Sequence, residues 1–217
     1  METLSKEDRV ATPKGEVRIC SFCRASFIRR QSFDAEFSTD NHYRSLYTQR
    51  ASLESQAQNT DANVVLAIAE PQTIIGFGVL SYPLAGERWA ELGFQLMMEV
   101  KAIEVARSWR FGGVASRILK LVTDHPLIED KIAYMVGYSW TWDLQGAHKT
   151  AQEYRAMLIR LFGNQGFQEY TTNDPNICLR SENLFMCRIG KNISRVIKDR
   201  FKWLRFGLSP WTWNVGG

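Results

Sequence analysis

At 217 residues, 45% hydrophobic and 23% charged, the chain has the size and balance of one compact globular domain with short appendages, or of two very small ones. No apolar run approaches the roughly 20 residues of a membrane span, and residues 1–9 are polar with mixed charge, unlike a signal peptide; a cytoplasmic location and no membrane partner are expected. The net charge of +4 is mild and local, with Lys191, Arg195, Lys198, Arg200, Lys202 and Arg205 set against Asp199; such an end can meet nucleic acid, an anionic membrane surface or an acidic protein partner, or be a solvated helix face, and a nucleic-acid partner, which would rest on this stretch alone, is not expected.

In chain order, Thr12-Pro13-Lys14-Gly15 is a turn signal, and residues 17–23 follow it as a strand. Residues 32–58 are polar with scattered aromatics and are expected to hold one or two helices, with good helix formers over 48–56. Residues 64–69 and 73–80 are two apolar runs across the turn Glu70-Pro71-Gln72, which predicts an antiparallel hairpin. A third strand covers 96–105. After it, Val114, Ile118, Leu121 and Val122 fall on one helical face that His125-Pro126 closes. Residues 132–140 read as a strand and 150–162 as a second helix, with Tyr154, Met157, Leu158 and Leu161 in one stripe and Gly163 as its C-cap. Short strands at 167–171 and 184–189 follow, then a basic helix over 193–206 and an aromatic end. This order predicts an α+β (mixed α/β) fold with a mostly antiparallel central sheet flanked by helices.

Cysteine and histidine usage points away from metal. Cys20 and Cys23 form one C-x-x-C inside a strand pattern, and Cys178 and Cys187 stand too far apart for a second ligand pair. His42, His125 and His148 show no catalytic spacing and are expected as surface or capping residues.

The strongest chemical signal follows the third strand. Ile103-Glu104-Val105 leads to Arg110-Phe111-Gly112-Gly113-Val114-Ala115, which opens a helix. A helix N-terminus offers unpaired N–H groups and the positive end of the dipole. Small residues at 112, 113 and 115 let a pyrophosphate approach them, and Arg110 adds a charge-assisted contact. The bland alternative is a tight strand-to-helix turn.

Arg110-x-x-Gly113-x-Ala115 after a strand ending in Val105 resembles motif A of the GNAT superfamily, (Q/R)-x-x-G-x-(G/A), and Leu161-Phe162-Gly163-Asn164-Gln165-Gly166-Phe167 resembles its second motif. The order of elements is similar too. Within that superfamily, Ala102-Ile103-Glu104-Val105, Trp140-x-Trp142-Asp143-Leu144-x-Gly146, Glu153-Tyr154-Arg155-x-Met157, Asp174-Pro175 and Arg188-Ile189-Gly190-Lys191 are similar to the acetoin utilization acetyltransferases.

The resemblance implies a single GNAT-like domain over 1–190, splayed at an acetyl-CoA site, with a basic, aromatic extension over 191–217. It implies acetyl-CoA as co-substrate, held by Ile103, Val105 and Arg110 through Ala115, and no metal. The implied activity is acetylation of a lysine of acetyl-CoA synthetase, which inactivates that enzyme. Two acids lie on the central strand, Glu99 and Glu104, and either is a candidate to bind or deprotonate the amine. Phe162 stands where many relatives carry a tyrosine that protonates the leaving thiolate, and phenylalanine has no proton to give. Trp140, Trp142, Asp143 and Tyr154 are candidates to shape the acceptor tunnel or dock the partner. Two other readings stay open: a small-amine acetyltransferase using the same site, and a non-catalytic acetyl-CoA sensor that clamps a partner.

Overall fold

The computed structural model of the chain describes residues 5–39 and 49–208. His42 and the aromatic end over 209–217 lie outside the described residues. The chain falls into two compact units, one drawn from residues 1–81 and 100–125, the other from 82–99 and 126–217.

The first unit opens on a hairpin, β1 (Glu7–Thr12) and β2 (Gly15–Cys20), paired antiparallel from Glu7↔Cys20 to Thr12↔Gly15. The turn forms where Pro13 and Gly15 predict it; Gly15 adopts φ +126, and the Thr12 hydroxyl donates to the Gly15 carbonyl at 2.8 Å. β1 has no long apolar run, since only alternate residues are partly covered, which is why its polar sequence does not announce a strand. β2 ends at Cys20 rather than residue 23, because Phe22 turns the chain with φ +50. Short helices α1 (Ala25–Ile28), α2 (Glu36–Thr39) and α3 (Arg50–Gln56) follow, with a two-residue strand β3 (Ser32–Phe33) between the first two.

β4 (Asn63–Ala69) and β5 (Thr73–Ser81) form the expected antiparallel hairpin, with a register shift between Ala67 and Ile68. β6 (Met97–Val105) joins β5, and its residues from Val100 onward belong to this unit. On one face, Ile28, Leu53, Leu66 and Phe77 build a core that Ala102 and Ala106 close. On the other lies α4 (Val114–Thr123), which buries the predicted Val114, Ile118, Leu121 and Val122. Gly76 and Gly78 allow this contact. A Cβ on Gly78 would stand 2.6 Å from both Ile118 and Val122, and one on Gly76 would stand 2.8 Å from the Glu104 carbonyl oxygen. Larger residues there would push α4 off the sheet.

In the second unit, the start of β6 pairs parallel with β7 (Ile132–Gly137), in the register Met97↔Ile132 to Glu99↔Tyr134. α5 (Leu144–Ala147) and α6 (Ala151–Gly163) follow, then β8 (Gln168–Glu169), α7 (Pro175–Cys178), β9 (Leu184–Ile189) and α8 (Arg195–Leu204). β9 is antiparallel to both β7 and β8. The core gathers Trp89, Met97, Ile132, Tyr134, Phe185 and Cys187 with Ile193, Phe201 and Leu204, so the basic helix packs its apolar stripe inward.

Antiparallel pairing dominates, and the fold is the expected mixed α/β type. Two further expectations need correction. The strand over 132–140 stops at Gly137, because Asn183 accepts the Ser139 N–H at 2.8 Å and residues 139–141 wind into a 3-10 turn. Gly163 is the last helical residue of α6 and Asn164 its C-cap; the left-handed residue is Gly166, at φ +81. Among the described residues no helix is long and apolar enough to cross a membrane.

Candidate active site

The loop from Ala106 to Gly113 is built by its neighbours in the first unit. The Ala106 N–H pairs with Ile75 at 2.9 Å, carrying the β5–β6 contact to the end of the strand. A 3-10 turn over Arg107–Trp109 follows. Asp34 and Glu36 pin it: the Trp109 indole donates to Asp34 at 3.3 Å, and the Ser108 N–H donates to Glu36 at 3.2 Å. Lys14 lies 5.2 Å from the centre of the Trp109 ring. Arg110 folds back, its Nε donating to the Val105 carbonyl at 3.1 Å. The contacts from Asp34, Glu36 and Lys14 have no local sequence signature, since these partners lie far away along the chain.

Phe111 then takes φ +69, a left-handed conformation rarely held by a bulky residue, and presents a ring that is 82% exposed. Gly112 fits against Thr12, where a Cβ would be 3.1 Å from the threonine methyl. Gly113, at φ +77, is the N-cap of α4, and no side chain caps that end. The first N–H groups of α4 have no partners within the helix, so the arrangement can receive an anion.

The β6 residues divide by face. Ile103 and Val105 point toward α4, as their contacts with the Gly78 and Gly76 positions show. What they can offer a cofactor is main chain. Glu104 alternates with them and projects to the opposite face, that of Ala102 and Ala106. Glu99 is in the second unit. It stands opposite Tyr134 on the face of Met97 and Ile132.

The aromatic segment serves several purposes. Trp140 is 47% exposed, stacked on Tyr138 at 4.7 Å, with Arg180 6.0 Å from its ring. Trp142 stacks on Tyr154 at 5.2 Å and lies against Gly137, where a Cβ would be 3.3 Å from the indole. Asp143 is 3% exposed and caps α5 by accepting the Gly146 N–H at 2.9 Å, so its carboxylate holds the turn. Phe162 is buried edge-on against Phe167.

The histidine expectation is half right. His148 is exposed and forms the C-cap of α5. His125 is buried: its Nε2 lies 2.9 Å from the Asp61 carbonyl oxygen and its ring 5.3 Å from Phe22. Cys20 and Cys23 are buried thiols, and the Cys23 thiol donates to the Cys20 carbonyl at 3.3 Å. Burial pushes both thiols up, away from the reactive thiolate. Among the described residues no group of three or more His, Cys, Asp or Glu is placed to hold a metal ion. The residues that sequence reasoning missed are those that hold the loop before α4, Asp34, Glu36 and Thr12. Burial pushes the Tyr134 and Tyr138 hydroxyls above the ordinary phenol range, and the Glu99 and Glu87 carboxylates push them further.

No family model matches the chain. It is similar to the acetoin utilization protein AcuA of Bacillus licheniformis, 36% identical over 135 residues that cover 62% of this chain and 64% of that protein. To the protein of the same name from Bacillus subtilis it is 32% identical over 142 residues, which cover 65% and 68% of the two chains. The matched region thus spans about two thirds of each relative's length. Its structure is similar to the crystal structure of an acetoin utilization protein from Exiguobacterium sibiricum, with a TM-score of 0.86 and 25% identity over 95% of this chain and 96% of that one.

Proposed function

The chain belongs to the family of the acetoin utilization protein AcuA, and on that premise we propose that it is a GNAT-type N-acetyltransferase that passes the acetyl group of acetyl-CoA to a lysine of acetyl-CoA synthetase and switches that enzyme off. The observation that carries the reading is the uncapped N-terminus of α4 at Gly113, entered through a left-handed Phe111 and flanked by Arg110. A pyrophosphate there would accept main-chain N–H groups at the positive end of the helix. Ile103, Val105 and Arg110 through Ala115 are the residues proposed for the cofactor. The motif resemblance joins this geometry to CoA.

In the transfer, the amine nitrogen attacks the thioester carbonyl and the carbon–sulfur bond breaks. The acceptor arrives as an ammonium and leaves as a neutral amide, so one proton goes to a base and one to the departing thiolate. Glu99 and Glu104 are the candidate bases. Phe162 carries no proton, and a CoA thiolate is a good enough leaving group to depart without an acid and be protonated afterwards by solvent. Trp140 and Trp142 are candidates to meet the incoming acceptor, since indoles commonly anchor protein interfaces. The family resemblance, rather than the geometry, supplies acetyl-CoA synthetase as the partner.

Mixing the chain, acetyl-CoA and purified synthetase tests the reading. Loss of synthetase activity together with one added acetyl mass on a lysine is the expected result; neither change would overturn the choice of partner. For the cofactor site, Gly113→Glu places bulk and negative charge where the pyrophosphate would lie. Calorimetry should show acetyl-CoA binding lost in this variant and kept in Gly113→Ala, which carries the same left-handed strain without the charge. Equal affinity in both would remove the anion site.

A further inference from the structure

In the first unit, the tip of the β1–β2 hairpin meets the loop before α4 on both sides of Phe111. Thr12 lies against Gly112, where a Cβ would stand 3.1 Å from the threonine methyl, and Lys14 lies 5.2 Å from the centre of the Trp109 ring. The Trp109 indole also donates to Asp34 at 3.3 Å. Phe111 takes no part in this packing. Its ring is 82% exposed and, among the described residues, stacks on no other ring. Its backbone sits at φ +69, where glycine, with no Cβ, would carry no steric cost. A single exposed apolar side chain needs no explanation. One that also holds a left-handed backbone, two residues before an uncapped helix start, bears two costs at once, and such strain gathers at ligand sites.

Position narrows what can cover the ring. Phe111 precedes the N-cap Gly113 by two residues, so their Cα atoms lie within about 7 Å of each other. A group that covers the ring while a diphosphate sits at the start of α4 is therefore joined to that diphosphate by a short linker. In a nucleotide the ribose is such a linker, and it carries a flat base. Every base has a π-face, and stacking on an aromatic side chain asks for no hydrogen bond from the protein. Phe111 offers a flat face and no polar side-chain atom, which suits a base and gives nothing to an ion or a hydroxyl. The ligand class is a nucleoside diphosphate; in acetyl-CoA the base is adenine.

We propose that the Phe111 ring is the platform on which the adenine of acetyl-CoA stacks. The proposal rests on the acetyl-transfer reading above, which uses the main chain of this loop for the pyrophosphate, and adds a side-chain role at the nucleotide end. The hairpin contacts at Gly112 and Trp109 hold the loop on either side of the ring. The ring is thus turned outward before the ligand arrives, and binding loses little entropy in ordering it.

Calorimetry on the wild type, Phe111→Leu and Phe111→Trp tests this with two ligands: acetyl-CoA, and S-acetyl-4′-phosphopantetheine, which keeps the arm and one phosphate and lacks the adenosine. Leucine keeps the apolar bulk and the left-handed strain but loses the flat face; tryptophan keeps the face. The acetyl-CoA Kd should rise by about 10-fold in Phe111→Leu, the scale of one base stacked on one ring, and return towards the wild-type value in Phe111→Trp. The phosphopantetheine Kd should be the same in all three proteins. The ethenoadenine analogue of acetyl-CoA gives a second readout: stacking should quench its emission on the wild type and less so on Phe111→Leu, a difference that support of the loop alone would not produce. Equal weakening of both ligands in Phe111→Leu, weakening of neither, or a loss as large in Phe111→Trp would each overturn the platform and leave acetyl-CoA binding standing. If the wild type binds no acetyl-CoA, the acetyl-transfer reading fails on its own, and the probes become ADP and inorganic pyrophosphate. ADP binding tighter than pyrophosphate, with the gap lost in Phe111→Leu, upholds a base platform without the transfer; equal binding of the two, or none, overturns it.

Discussion

Asn63 opens β4 fully buried, and its side chain makes three hydrogen bonds in the first unit. The amide donates to the carbonyls of Leu121 at 2.9 Å and Val122 at 3.2 Å, and its oxygen accepts the Phe22 N–H at 2.8 Å. It thereby satisfies carbonyls in the last turn of α4, which have no partners within the helix, and fixes the left-handed turn that ends β2. Asn63→Ala would strand all three groups. A loss of about 3 kcal/mol in urea unfolding is expected, from about 1–3 kcal/mol for each unsatisfied buried group with partial relaxation. A loss under about 0.5 kcal/mol, the range of an ordinary surface substitution, would mean that water or a shifted backbone replaces the side chain. Asn63 also shows a limit of sequence reading: beside the apolar run that starts at Val64 it passes for a turn residue, and only its distant partners reveal its role.

Among the helices, α6 is the most plainly signalled. Thr150 accepts the Glu153 N–H at 3.2 Å, and Glu153 accepts the Thr150 N–H at 2.8 Å, a reciprocal capping box. Those bonds hold the Glu153 carboxyl below the usual range. Because its folded value is lowered, the contribution is fully present above the ordinary glutamate value and fades as pH falls through the lowered one. Thr150→Ala should therefore be less stable than wild type at neutral pH, with the gap closing in acid. A gap constant from neutral pH down through the carboxylate range would deny the Thr150–Glu153 link. At the other end, Gly163 has an ordinary backbone and open space where a Cβ would go. Gly163→Ala is expected to stabilise the chain by about 0.5–1 kcal/mol, seen as a rise of roughly 1–4 °C in Tm for a chain of this size; a fall would mean that the position is strained after all.

Across the whole molecule, charge is distributed unevenly. α8 turns Phe201 and Leu204 into the core of the second unit and leaves Arg195, Lys198 and Lys202 exposed, with Lys191 just before it. Asp199 answers part of this charge by pairing with Lys202 at 2.9 Å. If this face steers an acidic protein acceptor, added salt should slow association with that protein and leave turnover of a small neutral-peptide acceptor unaffected, since screening acts on long-range attraction between surfaces. Stopped-flow association rates from low to physiological salt check this. A flat profile for the protein acceptor would show that the basic face plays no part in docking.

The sequence by itself determined the elements with internal periodicity or strong punctuation. The β4–β5 hairpin, the α4 stripe, the α6 helix and the glycine-bearing loop after β6 are each legible within a dozen residues or so, because local periodicity and punctuation set them. Only the tertiary structure decided what depends on partners far along the chain. β1 is a strand because β2 lies beside it. The loop before α4 keeps its shape because Asp34, Glu36, Lys14 and Thr12 hold it. Asp143 is a helix cap, and His125 a buried hydrogen-bonded ring. The sequence reading picked out Glu99 for its place in a strand. It could not see that β6–β7 pairing sets Glu99 against Tyr134, because register between strands more than thirty residues apart follows from packing of the sheet, not from either strand's own pattern.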